Sequence, residues 1–203
     1  MNRVTAFIFG LILICPSASA SNFQPDIEKG QVSIGYTLHS YDRTSSLDGN
    51  MGGGWKFGEY STLVGMDKGL SLYVNYADGQ KHWNSYSIDS KYVDFGVQYA
   101  LNPNFALLLG QRNQDERQTM PTDSANDPLH KMTYGAVGKI DLTNRLDGYV
   151  TYQKNSNVTD YVMGLSYNIQ KNAFVDINYK RSQTAADSTV TLEGFGAGVS
   201  FKF

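Results

Sequence analysis

The chain has 203 residues, a formal net charge of −2 at pH 7, 14 tyrosines, 10 phenylalanines, 20 glycines and only 5 prolines. This balance offers no basic surface for nucleic acid, and beyond the N-terminal leader no apolar run approaches the ~20 residues of a membrane-spanning helix. A strand-built barrel stays open, because alternation hides its hydrophobicity and leaves a mean hydropathy near the −0.36 found here.

Met1-Asn2-Arg3 supplies one positive charge, Ala6 to Ile14 is unbroken apolar sequence, and Pro16 precedes Ser17-Ala18-Ser19-Ala20, an A-x-A ending. The apolar run is too short to span a bilayer, so residues 1–20 read as a cleaved secretory signal. Cys15 would be the lipidated residue of a lipoprotein, but Ile14 fits poorly in the position before it. With Cys15 removed, the mature chain has neither disulfides nor thiolate ligands. Residues 21–29 are then a short periplasmic segment ahead of one barrel domain over 30–203.

Ten segments follow whose side chains alternate apolar and polar, the period of a strand with two unlike faces. The first, about 30–40, sets Val32, Ile34, Tyr36 and Leu38 against Gln31, Ser33, Gly35 and Thr37. The second, about 53–66, changes parity between Trp55/Phe57 and Tyr60/Thr62/Val64, which predicts a bulge near Gly58. Asp67-Lys68-Gly69 is a tight turn into the third, about 70–78. The fourth, about 88–101, carries Val93, Phe95, Val97, Tyr99 and Leu101 on one face. Asn102-Pro103-Asn104 leads to the fifth, about 105–116, and the sixth spans about 131–140. A turn at Leu142-Thr143-Asn144 opens the seventh, about 145–155. The eighth, about 159–169, presents Tyr161, Met163, Leu165, Tyr167 and Ile169, and Gln170-Lys171-Asn172 turns into the ninth, about 173–182. The tenth, about 190–203, ends with Phe195, Ala197, Val199, Phe201 and Phe203 alternating with small or polar residues.

Connections alternate short and long, the longer ones at about 41–52, 79–87, 117–130 and 183–189, with 156–158 a short exception. Short periplasmic turns, longer outer loops and an even strand count belong to single-chain outer-membrane barrels. The expected fold is therefore all-β: a closed antiparallel transmembrane barrel of about ten strands, or eight if two weak segments merge. A soluble sandwich or lipocalin-like barrel also alternates, but with its apolar face inward.

If the apolar face meets lipid, Glu59, Asp94, Arg112, Lys139, Asp147, Asp176, Lys180 and Lys202 line the lumen, four acids and four bases. Hairpin register counted from Leu101 and Phe105 places Asp94 opposite Arg112, and counted from Asp141 and Arg145 places Lys139 opposite Asp147. Such pairs hold the barrel shut. The lumen side of the last strand, Gly194, Gly196 and Gly198, leaves room for a narrow passage or relieves crowding where the sheet closes.

No catalytic or metal centre is expected, nor any cofactor. His39 and Ser40 are adjacent and so point to opposite faces, His82 is near Asp78 without a second carboxylate, and His130 stands apart. The loop from Asp115-Glu116-Arg117 through Asp123 and Asp127 to Lys131 is the longest and most charged.

The closing strand, with Phe195, Val199, Phe201 and Phe203, resembles that of bacterial outer-membrane barrels, whose final aromatic residue is read by the assembly machinery. Together with Ala18-Ser19-Ala20 and the alternation, the mature chain is similar to small Gram-negative outer-membrane proteins of the opacity/porin-like superfamily. The resemblance implies the outer membrane as the location, and membrane lipid, lipopolysaccharide and the barrel assembly machinery as partners. A surface ligand is left unidentified and nucleic acid is not expected. It implies no single activity. Two roles stand: a structural or surface-interaction protein acting through its outer loops, or a narrow porin-like channel for small solutes. An enzyme is a distant third.

Overall fold

A computed structural model describes residues 24–25, 27–45, 49–50, 54–83, 86–119, 124–185 and 189–203. The proposed signal over 1–20 lies outside these residues, as does Asp123. Among the described residues ten long strands follow in chain order: β1 Val32–Ser45, β2 Trp55–Gly65, β3 Leu70–Trp83, β4 Tyr86–Asn102 and β5 Phe105–Thr119. After these come β6 Ser124–Thr143, β7 Leu146–Lys154, β8 Val158–Gln170, β9 Ala173–Ala185 and β10 Thr189–Lys202. Gly49 and Asn50 add a two-residue rung beside the end of β1.

Each strand pairs antiparallel with the next, and β10 pairs with β1 from Ser33↔Lys202 up to Ser45↔Val190, so the sheet closes. Ten strands, not eight, form the ring. Closure leaves no edge, the condition for strands to cross lipid.

Burial runs opposite to that of a soluble barrel. On β9, Asp176 is 0% exposed and its neighbour Ile177 is 61% exposed. Ser33, Thr37, Ser71, Asn75 and Gln98 are buried inward, whereas Leu72, Phe95, Leu109, Met163 and Leu165 are exposed outward. The apolar faces sought in the sequence are therefore the outer wall. On β8 that wall runs from Tyr161 to Ile169, roughly 27 Å of strand, which a tilt near 40° turns into about 20 Å of height, most of the ~25 Å apolar band of such barrels. Tyrosines mark its upper border: Tyr36–Tyr60 rings lie 4.7 Å apart, Tyr60–Tyr76 6.2 Å and Tyr152–Tyr161 5.2 Å. Exposed Lys56 on β2, Lys91 on β4, Lys154 on β7 and Arg181 on β9 follow immediately above this level. An apolar wall of this height with an aromatic border places the protein in the outer membrane as a transmembrane β-barrel.

The short turns lie at one end, periplasmic in such barrels. Lys68 and Gly69 adopt left-handed φ of 57° and 76° in the first of them. The other three share one device, a single extra residue just before the turn that interrupts the ladder at Ala100/Asn102, Asp141/Thr143 and Ala173/Phe174.

Two expectations are corrected. The bulge near Gly58 does not form, because the β1–β2 and β2–β3 ladders run unbroken through it. Phe57 points inward and packs on Tyr41, with ring centroids 5.3 Å apart, and Leu192 joins them. Above the lipid the outer wall meets water, so apolar side chains turn inside again. The parity change records a change of solvent, not of pleat. Second, much of the expected outer loops is ladder: β3–β4 stays paired to Trp83↔Tyr86 and β5–β6 to Thr119↔Ser124. Asp115, Glu116 and Arg117 therefore lie on β5, and Asp127 and Lys131 on β6. Water tolerates polar residues on both faces, so these hairpins continue past the membrane.

Leu165 sits midway along the apolar stretch of β8 and separates the lipid-facing arrangement from a soluble one. Leu165→Arg should destabilise the protein refolded in lipid by about 2–4 kcal/mol, as measured by urea unfolding. On a water-facing surface the same change would stay within about 0.5 kcal/mol.

Candidate functional site

Arg112 of β5 points into the lumen at mid-height and is 4% exposed. Its register partner on β4 is Asp94. Nε of Arg112 donates to Oδ1 of Asp94 at 2.7 Å and a terminal nitrogen donates to Oδ2 at 2.6 Å, a two-pronged match of planar groups. The same terminal nitrogen reaches Oδ2 of Asp160, on β8, at 2.6 Å. The Tyr92 ring covers the guanidinium at 4.6 Å.

A second cation completes the arrangement. Lys180 of β9 donates to Oε2 of Glu59 on β2 at 2.8 Å and to the Tyr92 hydroxyl at 2.7 Å. Lys180 Nζ also lies 5.2 Å from the Tyr92 ring centroid. Oε2 of Glu59 lies 3.4 Å from Nε2 of His39 on β1, whose ring stacks on Tyr41 at 5.2 Å. Strands β4 and β9 stand five apart in the ring of ten, directly opposite. The network therefore crosses the lumen and ties β1, β2, β4, β5, β8 and β9 together.

Its physical effect follows from desolvation. An unpaired charge in such a place costs several kcal/mol, and paired groups with their hydrogen bonds made avoid most of that. The Asp94 and Arg112 side chains are 1% and 5% exposed, whereas the lining of a water-filled pore would be wet. Rings fill the gaps opened by inward glycines. A Cβ on Gly196 would lie 2.5 Å from Nδ1 of His39, and those on Gly79, Gly110 and Gly164 would run into Phe57, Tyr73 and Tyr149. The room expected along Gly194 to Gly198 is thus occupied by His39 at its centre.

Nearer the periplasmic end, Lys139 departs from its expected position. It faces Tyr149 across the ladder, while Asp147 faces Asp141. The extra residue before the turn shifts the register, and Thr143 Oγ1 accepts from the N–H groups of Arg145 and Leu146 at 3.2 and 3.1 Å to hold it there. Lys139 still reaches Asp147 diagonally at 3.4 Å and Asp141 at 3.3 Å. Together with Lys202, Ser166 and Asn168 these residues line a periplasmic vestibule of about 530 Å3. Asp176 is wholly buried inward on β9.

Asp160, Tyr92 and His39 are the members that sequence reasoning did not assign to the lumen network. Parity contained the signal for Asp160, since Tyr161 and Met163 outward put it inside. His39 is buried and Ser40 exposed, on opposite faces. His130 Nδ1 lies 2.8 Å from Asn113 Oδ1 on the exposed outer wall. Asp78 accepts from Tyr76 at 3.0 Å and pairs with Lys91 at 3.5 Å.

No protein-family model and no curated protein matches the chain. Among solved structures it is similar to Ail, the attachment invasion locus protein of Yersinia pestis, at 15% identity and a TM-score of 0.48 over 85% of this chain and 99% of that one. It is also similar to the translocator domain of the autotransporter NalP from Neisseria meningitidis, at 9% identity and a TM-score of 0.49 over 87% and 90% of the two chains. Neisserial surface protein A matches at 17% identity and a TM-score of 0.43, over 85% and 96%.

Because Arg112 serves two carboxylates, its loss and the loss of Asp94 should differ. Arg112→Ala leaves two acids without their cation and should cost about 3–5 kcal/mol. Asp94→Ala leaves Arg112 its Asp160 partner and should cost less. In a denaturant double-mutant cycle the pair should couple by about 0.5–3 kcal/mol. Additive losses would mean that the two side chains act independently.

Proposed function

We propose that the protein is a closed outer-membrane barrel with a structural interior, acting at the cell surface through the parts that stand above the membrane. The observation that supports this is the dry ion-pair network crossing the lumen at mid-height. Its charges have mixed sign, Asp94, Asp160 and Glu59 against Arg112 and Lys180, whereas selective pores favour a ring of one sign. The outer hairpins, β5–β6 above all, offer paired backbone beyond the apolar band on which a ligand surface can be displayed. Lys56, Lys91, Lys154 and Arg181, just above the tyrosine border, stand where headgroup phosphates of lipopolysaccharide lie, and we propose these as its contacts.

A narrow channel is the second reading, supported by the vestibule of about 530 Å3 at the periplasmic end. Recordings of the refolded protein in planar bilayers separate the two. The structural reading expects no unitary conductance steps. Reproducible steps whose ion selectivity changes in Arg112→Ala would replace it with the channel.

We further propose that the outward stripe of β10, Phe195, Val199, Phe201 and Phe203, is the surface read by the barrel assembly machinery. All four side chains are exposed on the wall. Phe203→Ala should lower the level of heat-modifiable protein in outer membranes several-fold, and Asp123→Ala should leave it unchanged. Equal levels would remove this role from the stripe.

A further inference from the structure

We infer that residues 24–25 and 27–29 belong to a detachable latch that covers an apolar patch on one side of the periplasmic mouth of the lumen, hinged at Gly30 and seated by Ile27. The segment does not simply trail from the barrel. Pro25 and Ile27 are buried, and Ile27 packs with the inward side chains Leu63, Tyr73, Leu108 and Val137 of four different strands. That cluster is an apolar patch at the periplasmic end of the lumen, below the charged network. With Ile27 withdrawn it would face the water of the mouth, so the patch and its occupant make sense together.

The fastenings are few. Nε2 of the buried Gln98 donates to the carbonyl of Gln24 at 2.8 Å. Lys29 reaches Asp67 at 3.1 Å on the exposed rim. Beyond the segment the chain joins the sheet: Gly30 N–H donates to Gly65 at 2.9 Å, and Gly65 N–H donates to Gln31 at 2.8 Å. Gly30, with a left-handed φ of 82°, is the corner of a turn between latch and ladder, in which Gln31 N–H donates to the Glu28 carbonyl at 3.1 Å and Glu28 N–H donates to Gln31 Oε1 at 3.0 Å. Two buried side chains, one buried hydrogen bond, one exposed ion pair and the turn bonds to Gln31 are far less than the ladders that hold each strand, so this is an element for low-cost local opening.

Gly65 supplies an independent observation. It lies at the end of β2 and its backbone is not in the left-handed region, so the strand alone accepts any residue there. Yet a Cβ at this position would collide with the carbonyl of Glu28 and lie 3.4 Å from Cγ1 of Ile27. The nearest atoms all belong to the latch and none to the wall. Gly96 and Gly110 differ, because at those positions the obstructing atoms include barrel backbone. Glycine at 65 is thus required by the seated latch.

Opening would uncover the apolar patch at the mouth and leave the ion-pair network above it unchanged. The latch is therefore tested by access, not conductance. In a Cys15→Ser background, Leu108→Cys reports on the patch when the refolded protein in detergent micelles meets a membrane-impermeant maleimide. Only the folded, heat-modifiable band is scored. The parent reporter should label slowly. Both Gly65→Ala, which expels the latch by its backbone, and Ile27→Asp, which removes its anchor, should label at least roughly tenfold faster. An unchanged rate in the folded forms of both variants would overturn the proposal. So would a parent reporter that labels as fast as a cysteine placed at the exposed Asp141.

Discussion

A backbone N–H or C=O that enters lipid has no water to bond, so a strand can cross only if both of its edges are paired inside the protein. That constraint requires the β1–β10 ladder, and most other features here follow from the ring it closes. A ring of ten strands sets which side chains can meet across it, and its antiparallel order divides short turns from outer hairpins. It also gives every strand one face toward lipid and one toward an enclosed space. Ile177 outward beside Asp176 inward shows this on adjacent residues.

Two solvents act on the same wall. Within the apolar band the outside is hydrocarbon and the polar side chains are turned in. Above it the outside is water, and Tyr41, Phe57 and Leu192 gather inside as in a soluble barrel. At the periplasmic end Ile27 does likewise with Leu63 and its neighbours. The lumen thus holds an apolar patch, a charged band and a second apolar patch. The charged band spans opposite walls and ties them together, so it resists collapse. Inward glycines roofed by His39, Phe57, Tyr73 and Tyr149 let the wall curve while keeping that interior filled.

The lumen network also shows which contacts a strand pattern carries and which it does not. Asp94 and Arg112 belong to neighbouring strands joined by a short turn, and counting back from the turn brings them together. The same count fails for Lys139, because Thr143 holds an extra residue before its turn and moves the register by two. Lys180 and Glu59 lie 121 residues apart, and no turn relates them. Their meeting depends on the number of strands and on how far each side chain reaches across the ring.

The sequence by itself determined the period of two, the ten segments, the short turns and which face of each strand is apolar, since these are local consequences of residue order. It also placed Asp94 and Arg112 on one face at one height. Only the tertiary structure decided that the apolar face looks outward, that Phe57 turns inward without a bulge, that the outer hairpins stay paired, and that Ile27 packs inside on Leu63, Tyr73, Leu108 and Val137. Only closure, too, brought Asp160 to Arg112 and Lys180 to Tyr92. The physical reason is that alternation records a difference between two faces without naming the solvent on either. Contacts across a lumen are likewise fixed by the circumference of the closed ring, a property that no single strand contains.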